Sequence, residues 1–587
     1  MTRIAIVEKD KCHPQECGNY LCARLCPVNR AGDDCIVKGD DGKAFIDADL
    51  CTGCGICPNR CPFGAIHIIN LPEELKEDPI HRYEANGFHL YKLPIPMFGM
   101  VSGMIGRNGI GKSTAMKILA GKLSPNLGTD AKTGADELLL RFKGSQAQGF
   151  FEKLRNKSIV ISHKPQEVDL IPKYVKGKVR DLLAKVDEAG RFDKVVDALD
   201  LAQILDNDIT SVSGGELQRV AIAACALKKA DVYFFDEPSS YLDIKQRLKA
   251  AAFIQGLADK STAVMVVEHD LIILDYMTDL IHVNFGEENC YGIVSNPKTS
   301  KAGINMYLEG YLRDENMRFR TFAIKFYSRP PMETKAQPVV VSWAKTAKAL
   351  GWFELKTDAG EIHTDEVIGI LGENGTGKST FVKLLAGELK PDTGGVSKKV
   401  AVAYKPQYIE TESDEAVASF LHDAIAKHHA QIIEPLGIKR LLDKTLGKLS
   451  GGELQRVMIA KCLSTRAEVY LFDEPSAHLD VEQRLNVARV INEVIKQRGV
   501  SALVADHDLL FLDYLSDRIM VFDGEPARRG HAHGPYDMEE GMNMFLKGIG
   551  ITFRRDPETF RPRANKPGSQ IDRKQKEEGT LYYTRTI

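Results

Sequence analysis

A nine-residue stretch that occurs twice constrains this chain more than any other feature. Gly106-Arg107-Asn108-Gly109-Ile110-Gly111-Lys112-Ser113-Thr114 is the first copy, and Gly372-Glu373-Asn374-Gly375-Thr376-Gly377-Lys378-Ser379-Thr380 is the second. Each fits the phosphate-binding pattern G-x-x-x-x-G-K-[ST]. The glycines let successive backbone N–H groups turn inward around phosphate oxygens. Lys112 and Lys378 reach the β- and γ-phosphates, and Ser113 and Ser379 hold Mg²⁺. A helix beginning at each lysine faces the anion with the positive end of its dipole. The apolar run Val367-Ile368-Gly369-Ile370-Leu371 supplies a strand before the second loop, and the weaker run Met100-Val101-Ser102-Gly103-Met104-Ile105 stands before the first. Two matches, each in strand–loop–helix context, leave a merely Gly-rich turn with little weight.

The chain has 587 residues, room for three or four domains, and its hydrophobic content of 43% supports large cores. The net charge of −2 does not advertise nucleic-acid binding, so any RNA contact must use local patches. No apolar run approaches the roughly 18 residues of a membrane span, and Met1-Thr2-Arg3-Ile4-Ala5-Ile6-Val7 is too short and too soon charged for a secretory signal. A soluble, cytoplasmic protein is expected. Of its 12 cysteines, nine fall within the first 61 residues, which in a cytoplasmic chain points to metal or iron–sulfur ligation rather than disulfides.

Cys51, Cys54, Cys57 and Cys61-Pro62 read C-x₂-C-x₂-C-x₃-C-P, the bacterial-type ferredoxin run. Cys12, Cys17, Cys22 and Cys26-Pro27 form a second, wider run. If the halves exchange their fourth ligands, one [4Fe-4S] cluster takes Cys12, Cys17, Cys22 and Cys61, and the other takes Cys51, Cys54, Cys57 and Cys26. Cys35 is then a bystander, and His13 and His67 are structural. A zinc module is the alternative, but zinc usually takes paired CxxC units, which a three-cysteine run closed by Cys-Pro fits poorly. Strand-like Ala44-Phe45-Ile46-Asp47 and Ala65-Ile66-His67-Ile68-Ile69 flank the second run.

Downstream of each phosphate loop the same motifs recur in order. After the first come Lys164-Pro165-Gln166, Ser213-Gly214-Gly215-Glu216-Leu217-Gln218, Val232-Tyr233-Phe234-Phe235-Asp236-Glu237-Pro238, Tyr241-Leu242-Asp243 and Glu268-His269-Asp270. After the second come Lys405-Pro406-Gln407, Ser450-Gly451-Gly452-Glu453-Leu454-Gln455, Val469-Tyr470-Leu471-Phe472-Asp473-Glu474-Pro475, His478-Leu479-Asp480 and Asp506-His507-Asp508. An internal duplication this long decides the architecture. The set resembles the ABC ATPases. Ser213 and Ser450, each three residues before a glutamate, have capping-box spacing and start helices; the paired glycines, Gly215 and Gly452 among them, leave N–H groups open to a phosphate.

The resemblance implies that each ATP lies between one domain's phosphate loop and the other's Ser-Gly-Gly element. It implies that Asp236 and Asp473 contact the Mg²⁺ shell, that Glu237 and Glu474 polarise the attacking water, that Gln166 and Gln407 sense Mg²⁺ and γ-phosphate, and that His269 and His507 contact γ-phosphate. It places an adenine-stacking aromatic upstream of each loop, at Tyr83 and Trp343, with Phe88 and Phe353 as competitors.

The first copy carries an insertion near 125–160, because 54 residues separate Lys112 from Gln166 against 29 from Lys378 to Gln407. Two short helices with a Gly-containing turn fit it, either as a solvated hairpin with a small core or as a docking surface. A second repeat, Gly303-Ile304-Asn305-Met306-Tyr307-Leu308-Glu309-Gly310 and Gly541-Met542-Asn543-Met544-Phe545-Leu546-Lys547-Gly548, follows the ATPase domains and suggests a pseudo-symmetric brace. The tail from 551, with nine Lys/Arg and five Asp/Glu, is solvated by default and has RNA contact as its alternative. The expected α/β organisation is a ferredoxin-like domain at 1–75, nucleotide-binding domains at 76–285 and 331–525, and hinges at 286–330 and 526–587, the second hinge including the basic tail.

The whole chain resembles the E-type ABC proteins, ribosome-recycling factors of archaea and eukaryotes formerly described as RNase L inhibitors. Its departures are the wide first cysteine run and Val212 where the signature usually has Leu. The resemblance implies two [4Fe-4S] clusters, two ATP with Mg²⁺, and a monomer with an internal pseudo-dimer. It implies ribosomal subunit splitting with a release factor or its rescue relative, and residence on the small subunit through rRNA and protein contacts, with no membrane partner. Two other classes stand beside it: the ATPase subunit of a membrane transporter, and an ATP-coupled iron–sulfur electron-transfer protein.

Overall fold

The computed structural model describes residues 3–47, 50–70, 78–84, 86–129, 135–144, 146–326, 337–395, 400–407 and 413–582. The cysteine-rich segment pairs β1 (Arg3–Val7) antiparallel with β4 (Ile66–Asn70), and β2 (Ile36–Lys38) with β3 (Ala44–Ile46). Short helices Leu21–Leu25, Pro27–Ala31 and Ile56–Arg60 lie between them. Pro27 starts its helix because the missing N–H is one that a first helical turn does not use. The core is small (Ala5, Val7, Ile36, Ala44, Ile46, Ala65, Ile66), and Cys12, Cys26, Cys35, Cys51 and Cys57 are part of it.

Each ATPase copy folds on one mostly parallel sheet. The first contains β5 (His81–Arg82), β6 (His89–Tyr91), β7 (Val101–Ile105), β8 (Ile161–Lys164), β9 (Val232–Asp236), β10 (Ala263–Val267), β11 (Leu280–Glu287) and β12 (Tyr291–Val294), in the order β5-β6-β12-β11-β7-β10-β9-β8. The second contains β13 (Thr346–Leu350), β14 (Phe353–Thr357), β15 (Val367–Gly372), β16 (Val402–Lys405), β17 (Val469–Asp473), β18 (Ser501–Ala505), β19 (Arg518–Glu525) and β20 (Arg529–Asp537), in the matching order β13-β14-β20-β19-β15-β18-β17-β16. The central strands β7, β9, β10, β15, β17 and β18 are buried along their whole length. Strands covered on both faces need continuous apolar runs, which is what these sequences supply. The weak run before the first phosphate loop is such a strand all the same, because Gly103 makes room for Leu274 and Thr278.

Two boundaries of the sequence reading are corrected. The first domain does not stop at 285: β11 runs to Glu287, and β12 pairs with both β11 and β6. The second does not stop at 525, since β20 pairs with β19 and β14. In both cases the last ATP motif precedes a strand that closes the antiparallel flank of the sheet and carries no motif of its own. The boundaries at 75/76 and 330/331 lie outside the described residues.

The insertion is a pair of helices, Ala135–Arg141 and Gln146–Arg155. Phe150 and Phe151 are buried, in one cluster with Ala115, Met116 and Leu119 of the phosphate-loop helix Lys112–Leu119. The hinge repeats are helices Ser300–Glu309 and Met538–Ile549, lying on β11 and β19, where Gly303 and Gly541 pass close to Ile281 and Ile519.

The C-terminal segment to Tyr582 is not a solvated basic tail, which corrects the other default. Three of its arginines are taken up by carboxylates of the two ATPase domains. Arg561 and Arg563 pair with Asp275 at 3.0 and 2.6 Å, and Arg555 pairs with Asp513 at 2.7 Å. Asp275 and Asp513 sit on equivalent helices, Leu271–Met277 and Leu509–Leu515, which belong to one continuous apolar cluster shared by the two domains with Phe553 and Tyr582. No helix among the described residues is long and apolar enough to cross a membrane.

Candidate functional site

The phosphate loops leave β7 and β15 and enter helices at Lys112 and Lys378. Gly111 and Gly377 precede the lysines with φ of +87° and +98°. A Cβ at either would also lie 2.7 or 2.8 Å from the Phe88 or Phe353 ring, so only glycine fits. Gly106, Gly109, Gly372 and Gly375 complete the turns. Lys112 Nζ donates to the carbonyls of Gly106 (2.8 Å) and Arg107 (2.6 Å). Lys378 Nζ donates to Gly372 and Glu373 (2.8 and 3.0 Å) and lies 3.2 Å from His507 Nε2. Burial lowers both ammonium groups to about 8.

Asp236 and Asp473 end β9 and β17, each hydrogen-bonded to the loop serine, Ser113 or Ser379. The next residues, Glu237 and Glu474, both have φ of +46°. A left-handed non-glycine residue is strained, and its recurrence at the same place in both domains marks an enforced geometry. Glu237 Oε1 accepts from Gln166 Nε2 at 2.8 Å and lies 3.4 Å from His269 Nε2. Glu474 Oε1 accepts from Gln407 Nε2 at 2.6 Å and lies 3.6 Å from His507 Nε2. Lys164 and Lys405, buried beneath, donate to the backbone carbonyls of the two acidic residues of each pair.

The two sites are not electrostatically equivalent. Burial pushes Asp236 up to about 6, with Glu237 adding to it. Burial acts upward on Glu237 too, but the adjacent His269 imidazole and the Lys112 charge outweigh it and hold that carboxyl down at about 2. Glu474 is instead raised, by burial and then by Asp506, the residue before its histidine. Burial and Lys378 hold His507 neutral.

Ser213 and Ser450 cap the helices Gly214–Leu227 and Gly451–Ser464 with complete capping boxes. A Cβ on Gly215 or Gly452 would lie 3.0 or 2.8 Å from the carbonyl oxygen of Tyr241 or His478. Gln218 and Gln455, which close the signatures, donate to the backbone carbonyls of Glu237 and Glu474. The Ser-Gly-Gly helix start, the glutamate (Glu237 or Glu474) and the turn that follows it (Tyr241–Asp243 or His478–Asp480) are thus one packed unit in each domain.

The sequence reading gave Asp243 and Asp480 no role. Each caps the following helix with Oδ1 and accepts through Oδ2 from the phosphate loop of the opposite domain: Asn374 N–H at 3.3 Å for Asp243 and Asn108 N–H at 3.1 Å for Asp480. Lys245 Nζ to Glu373 at 2.8 Å joins the same interface. The available signal was the matched position of the two aspartates in the repeat.

Tyr83 is exposed at the first site, with its hydroxyl 3.4 Å from Thr114 Oγ1. Trp343 is not its counterpart, which corrects that reading. It is 4% exposed, donates Nε1 to Asp358 O at 2.9 Å and packs edge-on against Phe381, so it has no face to offer a base. Strand register makes Phe88 equivalent to Phe353, and Tyr83, hydrogen-bonded to Phe88, equivalent to the exposed Leu350. The second site presents an aliphatic where the first presents a ring. Thr380 is half-buried beside the second loop.

Cys12, Cys17, Cys22 and Cys61 line one cavity. Cys57 is flanked by Cys51 and Cys54, while Cys26 and Cys51 both lie against Cys35. Each of these thiols is free of a disulfide. Cys12, Cys17, Cys22 and Cys61 thus come together, and Cys35 lies against Cys26 and Cys51. The module is fastened to the first ATP site by Asn86, between Tyr83 and Phe88. Its side chain donates to Ala5 O and Ile46 O and accepts from Ile46 N–H, all within 3.0 Å.

Three sequence-family profiles match: "ABC transporter" at 97–240 and 355–477, "Possible Fer4-like domain in RNase L inhibitor, RLI" at 2–34, and "4Fe-4S binding domain" at 44–67. The chain is 52% identical to an uncharacterized ABC transporter ATP-binding protein of Methanocaldococcus jannaschii, over 99% of this chain and 97% of that one. It is 46% identical to ABC transporter E family member 1 of Arabidopsis thaliana, over 99% of each. Among solved structures it matches one described as ribosome-bound archaeal Pelota and ABCE1, at TM-score 0.93 and 52% identity over 99% of both chains. It also matches the archaeal ribosome recycling factor aABCE1 in complex with ribosomal stalk protein aP1, at TM-score 0.83 and 52% identity over 87% of this chain and all of that one.

Proposed function

The chain belongs to the E family of ABC proteins, and from that premise we propose that it is an ATP-driven ribosome-recycling factor of the cytoplasm. It is an ATPase that carries [4Fe-4S] clusters and binds ATP with Mg²⁺. In this reading it separates ribosomal subunits together with a release or rescue factor and stays on the small subunit, held by rRNA and protein contacts. The relatives described as bound to the ribosome with Pelota, and as a ribosome recycling factor, support this assignment.

Lys112 and Lys378 bind the phosphates, while Ser450 and Gly452 approach the first site from the opposite domain and Ser213 and Gly215 approach the second. Ser113, Asp236 and Gln166 would hold Mg²⁺ at the first site and Ser379, Asp473 and Gln407 at the second, where the ion would supply neutralisation of phosphate charge. Glu237 and Glu474 orient water, and His269 and His507 face the γ-phosphate. Closure of the pseudo-dimer is read out by Asp243 and Asp480, which touch the opposing loops. Driving such a clamp from 1:99 to 99:1 closed takes about 5.5 kcal/mol of differential ATP binding.

The observation that carries the mechanical half is the Asn86 anchor. The loop that holds it also bears Tyr83 and Phe88, so one loop joins the first ATP site to the iron–sulfur module. The test is sedimentation of ribosomes with the protein, a release or rescue factor and ATP. Subunit peaks that need all three components support the reading; ribosomes left intact under those conditions overturn it.

A further inference from the structure

The β11–β12 hairpin touches two parts of the molecule at once. On one side Asn289 N–H donates to Gly109 O of the first phosphate loop at 3.0 Å. On the other it meets His67, on β4 of the iron–sulfur module: Glu287 Oε1 lies 3.7 Å from His67 Nδ1. The donor atoms of His67, Glu287 and the buried Cys290 all fall within 4.8 Å of one another. The other ring nitrogen, Nε2, is 2.8 Å from Glu8 Oε1, and Glu8 is in turn paired with Lys11 at 2.7 Å.

We propose that His67, Glu287 and Cys290 form a binding site for a thiophilic divalent cation of the zinc class, bridging the iron–sulfur module to the first ATPase domain. The site is separate from the eight thiols assigned to the clusters. Sequence alone had made His67 structural and left Cys290 without comment, because the ligands come from two domains.

The donor chemistry selects the ion. One thiolate, one imidazole and one carboxylate suit zinc, whereas magnesium and calcium take oxygen ligands. Thiolate and carboxylate together cancel a dipositive charge, and Glu8 is already balanced by Lys11. Glu8 does what carboxylates do behind metal-bound histidines: it accepts a hydrogen bond from Nε2–H, so that Nδ1, once the cation displaces its proton, presents its lone pair beside the other two donors. Tetrahedral bonds of 2.0–2.3 Å place donor atoms about 3.4 Å apart. The cluster therefore needs only a small closure, and the Glu287 side chain, 49% exposed, has the freedom to make it. Three protein donors leave the fourth tetrahedral position to water. A cation here fastens the module to the hairpin that contacts Gly109.

The test uses the full chain with both clusters loaded, equilibrated with buffered Zn²⁺ and then analysed for zinc and iron and by zinc-edge X-ray absorption. The expected result is one zinc per chain, with one sulfur at about 2.3 Å and nitrogen or oxygen at about 2.0 Å. Cys290→Ala and Glu287→Gln should each lower zinc affinity at least tenfold with iron unchanged, and Glu8→Gln should lower it roughly 10- to 100-fold. If Cys290→Ala loses iron as well, Glu287→Gln, at a half-exposed side chain, decides alone. No zinc uptake by the wild type, a sulfur-only shell, or equal uptake by Glu287→Gln and wild type overturns the proposal.

Discussion

Asp243 of the first ATPase domain accepts a hydrogen bond from the backbone N–H of Asn374 in the second, at 3.3 Å, and Asp480 makes the mirror bond to Asn108 at 3.1 Å. Each aspartate also caps its own helix through the other oxygen. The catalytic turn of one domain thus rests directly on the phosphate loop of the other. Nucleotide that orders one loop is felt by the opposite domain without any intervening element.

Removing that contact should weaken closure. A hydrogen bond to a charged group is worth about 1.5–3 kcal/mol, so Asp243→Ala with Asp480→Ala should cost at least tenfold in the ATP affinity of the closed form. Asn in place of each aspartate keeps one oxygen for the helix cap but turns an NH2 donor toward the opposing loop N–H, so it should lose the inter-domain bond while sparing the cap. Nucleotide titration in a Glu237→Gln, Glu474→Gln background measures both without turnover, and equal affinities would show that the contact does not couple the domains.

That background is itself a test of the catalytic assignment. Loss of a general base costs roughly 10²–10⁴-fold, so the double glutamine variant should bind ATP and barely hydrolyse it. Gln166 and Gln407 hold these carboxylates from one side and should give smaller losses when changed to Ala. Phosphate release near the wild-type rate in the double variant would remove Glu237 and Glu474 from the mechanism.

The unequal carboxylates predict unequal pH responses. A base works only when ionised, so its activity is lost as pH falls through its own pKa. Glu237 is held near 2 by His269 and Lys112 against its burial, while Glu474 is raised by burial and Asp506. With Mg²⁺ saturating, so that Asp236 and Asp473 stay ionised, kcat/KM reports the free enzyme. The Glu237→Gln variant, left with Glu474, should lose kcat/KM at higher pH than Glu474→Gln. Coincident acid limbs would contradict this, and Asp506→Asn should move the Glu474 limb downward.

Cluster content gives an independent check on the eight cysteines. Two four-iron clusters require about eight irons per chain. Cys54→Ser should reduce that toward four while ATP binding persists, because Cys54 touches neither phosphate loop. Stoichiometric zinc in place of iron after anaerobic purification would reverse the assignment.

What the sequence made legible and what it did not divide along physical lines. Gly111-Lys112-Ser113 and Asp236-Glu237 are local: spacing along the chain fixes their chemistry, and the duplication fixes the architecture. The bond from Asp243 to Asn374 joins residues distant in sequence and has no spacing to read. Trp343 looked like a stacking ring because composition cannot distinguish a ring in the core from one in a site; strand register places Leu350 there. The C-terminal arginines counted as free charge until Asp275 and Asp513 were seen to take them up. The ends of both ATPase domains were misplaced because β12 and β20 close the sheets after the motifs end.

The coupling between nucleotide and the iron–sulfur module turns on Asn86. Its amide donates to Ala5 O and Ile46 O at 2.8 Å each and accepts from Ile46 N–H at 3.0 Å, and its own carbonyl accepts from Val7 N–H at 3.0 Å. The residue is 4% exposed, and it sits in the loop whose Tyr83 reaches Thr114 and whose Phe88 underlies Gly111. Asn86→Ala strands three buried backbone groups of the module, each costing about 1–3 kcal/mol when left unpaired. That is enough to loosen the docking of the module without touching the residues that hold ATP. Asn86→Asp should be worse, because a carboxylate faces two carbonyl oxygens where an amide donated. The expected outcome is a variant with full iron content and near-normal ATPase activity off the ribosome, but with subunit splitting reduced by tenfold or more. Light scattering of ribosomes with rescue factor and ATP, beside phosphate release by the free protein, separates the two quantities. Undiminished splitting by Asn86→Ala would place the coupling elsewhere, with the Glu287–Cys290 hairpin against Gly109 as the next contact to break.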